Sequence, residues 1–156
     1  MRDSEERVFV TGLGAVTPLG CSVADTWRGL LAGTEAITPL DLFDLGGMAC
    51  TRAGQIRSFV APDGFRDRAG GFAAAAGREA LQQAGWCATP EARLPMALVT
   101  ATNFGAVDHG ESALVGATPE PAAAAALMGG ATADRVAAAL GVAGPCATIT
   151  LSCAAG

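Results

Sequence analysis

The sequence predicts an α/β fold built on a mainly parallel sheet, and three observations carry that prediction. Runs of β-branched and apolar residues alternate with helical patterns, an order that favours crossover connections. Each helical pattern closes on a glycine, at Gly33, Gly85 and Gly141, where a left-handed residue stops a helix without a Cβ penalty. Residues 144–156 then run from a Gly144-Pro145 turn through a β-branched stretch into small residues, as a buried strand passes into a tightly packed helix. The 156 residues suffice for one core, and no repeat of 20–50 residues divides them.

In chain order, residues 7–11 (Arg-Val-Phe-Val-Thr) read as a strand, followed by the glycine-rich loop 12–20. That loop invites a dinucleotide reading, but Thr17 stands where the third glycine of GxGxxG belongs, with Pro18 behind it. Residues 22–33 form a helix: Ser22 caps, Asp25 follows at capping-box spacing, and Val23, Trp27, Leu30 and Leu31 share one face, with Trp27 assigned to the core. Residues 34–65 are a long connection punctuated by Pro39, Gly46-Gly47, Gly54 and Pro62, with a short strand near 53–56; connections of this length serve function or interfaces. The next helix covers 67–84, with Phe72, Ala76, Ala80 and Leu81 as its buried stripe. A strand at 96–102 ends in the turn Asn103-Phe-Gly105; a short alanine-rich helix reaches Met128; a further helix covers 132–140, with Val136 and Leu140 on one face. The last strand, 147–152, leads to Cys153.

Composition removes several function classes. The net charge of −5 argues against nucleic acid as a partner. The longest small-residue run, 122–126, is far too short to cross a bilayer. The charged start of the chain is no secretory signal, so a cytoplasmic location is expected. All ten basic residues are arginines, so a lysine Schiff base is excluded within these residues. Five cysteines without a CxxC pair argue against a disulfide framework and against zinc. The single histidine, His109, lies in Asp108-His-Gly-Glu111; consecutive loop residues rarely converge on one ion, so this is read as a polar loop and no metal is expected. Cys146 falls on the opposite strand face from Cys153 by parity and is read as structural.

Cys153 sits where the last strand gives way to Ala154-Ala155-Gly156. A cysteine at a helix N-terminus gains from the free N–H groups and the macrodipole, which favour the thiolate. An unperturbed thiol with a pKa near 8.5 is only about 3% thiolate at pH 7, so lowering it by a unit or two makes a usable nucleophile. On this stretch alone a buried, inert cysteine fits equally well.

Two ends of the chain agree on a family. Val10-Thr-Gly-Leu-Gly-Ala-Val-Thr-Pro-Leu-Gly20 resembles the opening of β-ketoacyl synthases, the condensing enzymes of fatty-acid and polyketide synthesis. Gly144-Pro145 with Leu151-Ser-Cys-Ala-Ala-Gly156 resembles their nucleophile segment. Between them, Asp67-Arg68 and Phe72-Ala-Ala-Ala-Ala-Gly-Arg-Glu-Ala-Leu81 are similar to the family's arginine-bearing second helix, and Thr102-Asn-Phe-Gly105 to the loop after its second main strand. Ala101-Thr102 stands where the family often has Gly-Thr, and Leu151-Ser152 where Thr-Ala is commoner.

The resemblance implies a thiolase-like α/β fold, of which residues 1–156 match the first βαβαβ-type half only, up to the nucleophile. It implies a homodimer or a ketosynthase-like heterodimer, no cofactor, and substrates carried on the phosphopantetheine arm of an acyl carrier protein. Cys153 would be the nucleophile and, through its backbone N–H, an oxyanion donor. Asn103 and Phe104 would line the acyl site, and Arg68 with Arg66 would meet the carrier protein. The family's two histidines belong to the second half and His109 occupies neither position, so residues 1–156 alone are expected not to condense. The rival readings are a non-catalytic partner subunit of chain-length-factor type, which Cys153 argues against, and a thiolase-family acyltransferase, whose openings lack the Thr-Gly-Leu-Gly run.

Overall fold

A computed structural model of the chain describes residues 7–62, 65, 67–89, 93–103, 105, 107 and 129–151. Among them the elements run α1 (Val23–Leu31), β1 (Ile37–Pro39), β2 (Arg52–Gly54), α2 (Arg68–Gln83), β3 (Leu98–Ala101), α3 (Gly129–Leu140) and β4 (Cys146–Ile149). β3 and β4 pair in parallel, Leu98 opposite Cys146 through Ala101 opposite Ile149, with α3 in the connection between them. β1 and β2 form a separate antiparallel pair. The helix expected to end at Met128 lies outside the described residues.

α1 forms where its cap predicts. Ser22 Oγ accepts from the Asp25 N–H at 3.1 Å and donates to the Asp25 carboxylate at 2.8 Å, which fixes the first turn of α1. Gly33, at φ +63°, takes the left-handed position that closes α1. Asp67 caps α2 by accepting from the Gly70 N–H. Asp67 is wholly buried, and Arg135 of α3 stands with Nη2 3.0 Å from its Oδ2. The N–H is not aligned on the carboxylate, so the contact is an ion pair without a hydrogen bond. It ties the start of α2 to the middle of α3.

The core lies between α2, α3 and one face of β3–β4. Val136, Ala137, Leu140 and Val142 are buried, with Phe65, Ala73, Leu81, Met96 and Leu98 packed on them. The register puts Val99, Ala101, Ala147 and Ile149 together on the other face, which is exposed, Val99 by 62%. The last strand is half-buried at Thr148 alone and ends at Ile149, not the fully buried 147–152 strand that its apolar run suggests.

Three further expectations are corrected. Residues 7–11 form no strand: no chain pairs with them among the described residues, and Val8, Phe9 and Val10 are exposed. Trp27, Leu30 and Leu31 share a face of α1 as the periodicity requires, but that face is open and Trp27 is 60% exposed, so it is not core. In α2 the buried residues are Gly70, Gly71 and Ala74, while the expected stripe of Phe72, Ala76, Ala80 and Leu81 is half-buried.

Gly70 and Gly71 are covered by Phe65, Phe59 and Ala61, and the opening segment crosses the backbone of α2 at Ala76 and Ala80. A Cβ on Gly12 would collide with the Ala80 carbonyl, and one on Gly14 with the Ala76 carbonyl. The opening segment lies directly on α2, where only glycine fits. Leu13 N–H donates to Gln83 at 2.6 Å and Ala15 N–H to the Glu79 carboxylate at 2.9 Å. The other oxygen of Glu79 accepts from the Val23 N–H, also at 2.9 Å, at the positive end of α1. Gly12 and Gly14 thus serve helix packing rather than a phosphate cradle.

Candidate active site

β3 and β4 run in the same direction, so their carboxyl ends open on one edge of the sheet. In α/β sheets ligands bind outside the carboxyl ends of parallel strands. The pairing is continued one residue past β3, where Thr102 N–H donates to the Ile149 carbonyl at 3.1 Å, and within the pair the hydroxyls of Thr100 and Thr148 meet at 3.0 Å. Beyond β3 the chain turns at once. Thr102 Oγ1 accepts from the Gly105 N–H at 3.0 Å, and Gly105 takes φ +54°. This turn holds Asn103 exposed at the carboxyl edge.

Beyond β4 the chain is described to Leu151, two positions before Cys153. Cys153 itself lies outside the described residues, as do Phe104, Arg66 and the 108–111 loop with His109. The structure therefore brings Asn103 and the approach to Cys153 to one edge, from neighbouring strands. Thr132, in α3, is buried with its hydroxyl unpaired, and a Cβ on Gly105 would stand 3.7 Å from that oxygen. Thr102 and Thr132 are polar groups of this edge that sequence reading did not single out; the only signal was the Thr102-Asn-Phe-Gly105 motif.

Arg68 sits at the first position of α2, away from this edge in sequence and exposed. Its Nη2 donates to the Ile56 carbonyl at 2.6 Å, and its guanidinium lies 5.1 Å from the Phe72 ring centre, a cation–π contact that holds the charge at the surface. Cys146, assigned a structural role, is exposed, as are Cys21, Cys50 and Cys87. No cluster of three or more His, Cys, Asp or Glu suited to a metal occurs among the described residues. None of the described helices is long and apolar enough to cross a membrane.

The comparisons with known proteins agree with this architecture. Two solved structures share the fold, a thiolase-like α/β arrangement. The ishigamide ketosynthase/chain length factor superposes with a TM-score of 0.72 at 26% identity, covering 90% of this chain and 39% of its own. A β-ketoacyl synthase from Burkholderia phymatum superposes with a TM-score of 0.76 at 24% identity, covering 97% of this chain and 41% of its own.

The sequence profile of the family described as Beta-ketoacyl synthase, N-terminal domain, matches residues 5–156. The chain belongs to the β-ketoacyl synthase family. Among curated relatives, 3-oxoacyl-[acyl-carrier-protein] synthase 2 of Synechocystis sp. is 44% identical over 64 residues, 41% of this chain and 15% of the relative. Actinorhodin polyketide putative beta-ketoacyl synthase 2 of Streptomyces coelicolor is 35% identical over 108 residues, 65% of this chain and 26% of the relative. The chain thus spans well under half the length of the curated relatives it matches.

Proposed function

We propose that this chain supplies the nucleophile half of a β-ketoacyl-[acyl-carrier-protein] synthase, an acyltransferase that extends acyl chains by decarboxylative Claisen condensation. The observation that supports the reading most strongly is the parallel β3–β4 pair. In a chain of this family, its carboxyl edge carries the Asn103 turn on one strand and leads to Leu151-Ser-Cys on the other.

In the proposed reaction the Cys153 thiolate attacks the carbonyl of an acyl thioester. The Cys153 N–H donates to the tetrahedral oxyanion; one such donor is worth about 100- to 1000-fold in rate. The phosphopantetheine thiol leaves with a proton, and the acyl group rests on Cys153. A malonyl thioester then loses CO2, its α-carbon bonds to the acyl carbon, and the Cys153 sulfur is expelled to give the β-ketoacyl product. Asn103 and Phe104 flank the acyl group; Arg68, with Arg66, meets the acidic carrier protein. The decarboxylation enolate needs donors that a single histidine, His109, does not supply, so residues 1–156 by themselves do not condense. The reaction uses no cofactor beyond the carrier's arm, and the working form is a dimer, with itself or a ketosynthase-like partner, in the cytoplasm.

The likeness to a ketosynthase/chain length factor favours one second reading, a non-catalytic partner subunit of that type. Incubating the protein, as its gene encodes it, with acyl carrier thioester decides between them. The proposal predicts a mass increase of one acyl group that Cys153→Ala abolishes; absence of the adduct in the unaltered protein favours the partner reading.

A further inference from the structure

Val136 and Leu140 are buried on α3, and Thr132 lies one turn before Val136 on the same line of the helix, so the spacing asks for an apolar residue there. Threonine stands instead, 4% exposed, with the shape of valine and a hydroxyl. The face of β3–β4 toward α3 changes character at the same end: Leu98 packs on the core, and Thr100, Thr148 and Thr102 follow toward the carboxyl edge. Those three hydroxyls are bonded. Thr100 and Thr148 meet at 3.0 Å, and Thr102 accepts from the Gly105 N–H at 3.0 Å. The Thr132 hydroxyl is not bonded.

Among the described residues, buried side-chain polar atoms without a hydrogen bond are confined to this junction. Three belong to the Asp67–Arg135 ion pair, whose charges compensate each other, and the fourth is Thr132 Oγ1. A buried hydroxyl left unbonded costs stability that a valine would not, and departures of this kind fall at functional sites. The group facing it is the candidate-site turn. Thr132 Oγ1 stands 3.7 Å from the position a Cβ would take on Gly105, so the bare side of that glycine meets the oxygen directly. α3 is held here by Arg135, one turn further on, against the buried Asp67. Gly105, at φ +54°, lets the backbone of the turn adjust.

We infer that Thr132 is a positioning residue for the acyl site. When an acyl group lies against Asn103, the turn settles onto α3, and a carbonyl of the turn accepts from the Thr132 O–H, which fixes Asn103 in place. This rests on the proposed function, because Asn103 is there taken to flank the acyl group. The bond belongs to the occupied site and not to the resting fold. Its loss should therefore slow acyl transfer without weakening the protein.

The test uses the full protein, as its gene encodes it, with the hexanoyl thioester of acyl carrier protein as probe. Single-turnover transfer to Cys153 is followed by mass, and urea unfolding is measured on the same samples. Thr132→Val should lower the rate at saturating probe about 3- to 10-fold, the worth of one hydrogen bond. The half-saturating probe concentration should stay unaltered, because the bond forms only once the acyl group is in place. The urea midpoint should hold or rise. Thr132→Ser, which keeps the hydroxyl and drops the methyl, should recover most of the rate. Transfer by Thr132→Val at the unaltered rate overturns the inference and leaves the proposed function standing. Thr132→Ser as slow as Thr132→Val assigns the effect to packing of the methyl, and a lowered urea midpoint in Thr132→Val assigns it to the resting fold; either overturns the inference. If the unaltered protein takes no acyl group, the proposed function fails and this inference falls with it.

Discussion

Asp67 and Arg135 join two helices through charges that differ in their access to water, and that difference makes a directional prediction. Asp67 is 0% exposed, whereas the Arg135 side chain keeps 30%. Asp67→Asn retains an N-cap of equal quality and removes only the charge. The guanidinium left behind can turn toward solvent, so the cost should fall near or below the low end of a broken buried pair, about 2–3 kcal/mol. Arg135→Met removes the cation and strands a carboxylate with no access to water, held only by its cap bond. That should cost about 4–5 kcal/mol, at the high end for such a break. The double variant leaves no charge and should be more stable than Arg135→Met alone. Urea unfolding followed by circular dichroism, with Asp67→Ala adding about 1 kcal/mol for the lost cap, measures all four. Asp67→Asn costing more than Arg135→Met, or a double variant less stable than either single one, would refute the reasoning.

Other expectations follow from the same framework. Glu79→Ala frees the N–H groups of Ala15 and Val23 and should destabilise by about 2–3 kcal/mol in urea unfolding, with Glu79→Gln recovering part of it. Gly14→Ala drives a Cβ into the Ala76 carbonyl and should cost about 1–3 kcal/mol, whereas Gly46→Ala, in open space at φ +52°, bears only the backbone strain. The Asp25 carboxyl is held below its ordinary value of 3.8, first by the Ser22 hydroxyl and then by Arg28. A lowered folded value means that its contribution is complete above 3.8 and is lost as pH falls through the depressed value; Asp25→Asn should therefore flatten the acid limb of the unfolding midpoint against pH.

What could be read from the sequence was local. The Ser22 cap, the Gly33 and Gly141 stops, and the 132–140 helix depend on contacts within a few residues, and all are present. β3 and β4 were legible as apolar β-branched runs, though their outer face is open. The contacts that fix the opening segment and α1 on α2 were not legible, because they join distant residues: Glu79 to Ala15, 64 positions away, and to Val23, 56 away. Asp67 read as part of a motif, but its ion pair with Arg135 comes only from the packing of α2 on α3. Gly12 and Gly14 read only as a glycine-rich loop that Thr17 and Pro18 keep from the dinucleotide pattern; their crossing on Ala76 and Ala80 came from the fold. At the candidate site the motif located Asn103; the buried Thr132 hydroxyl under Gly105 needed the fold.

Cys21, Cys50, Cys87 and Cys146 are all exposed, so a general alkylating reagent will find them whatever Cys153 does. The direct test of the nucleophile is transfer from limiting acyl carrier thioester, followed by peptide mass mapping of all five cysteines in the full protein. One acyl group on Cys153, absent in Cys153→Ala and undiminished when Cys21, Cys50, Cys87 and Cys146 are replaced by serine, is the predicted result. Acyl transfer to Cys146 or another exposed thiol with Cys153 untouched would contradict the assignment.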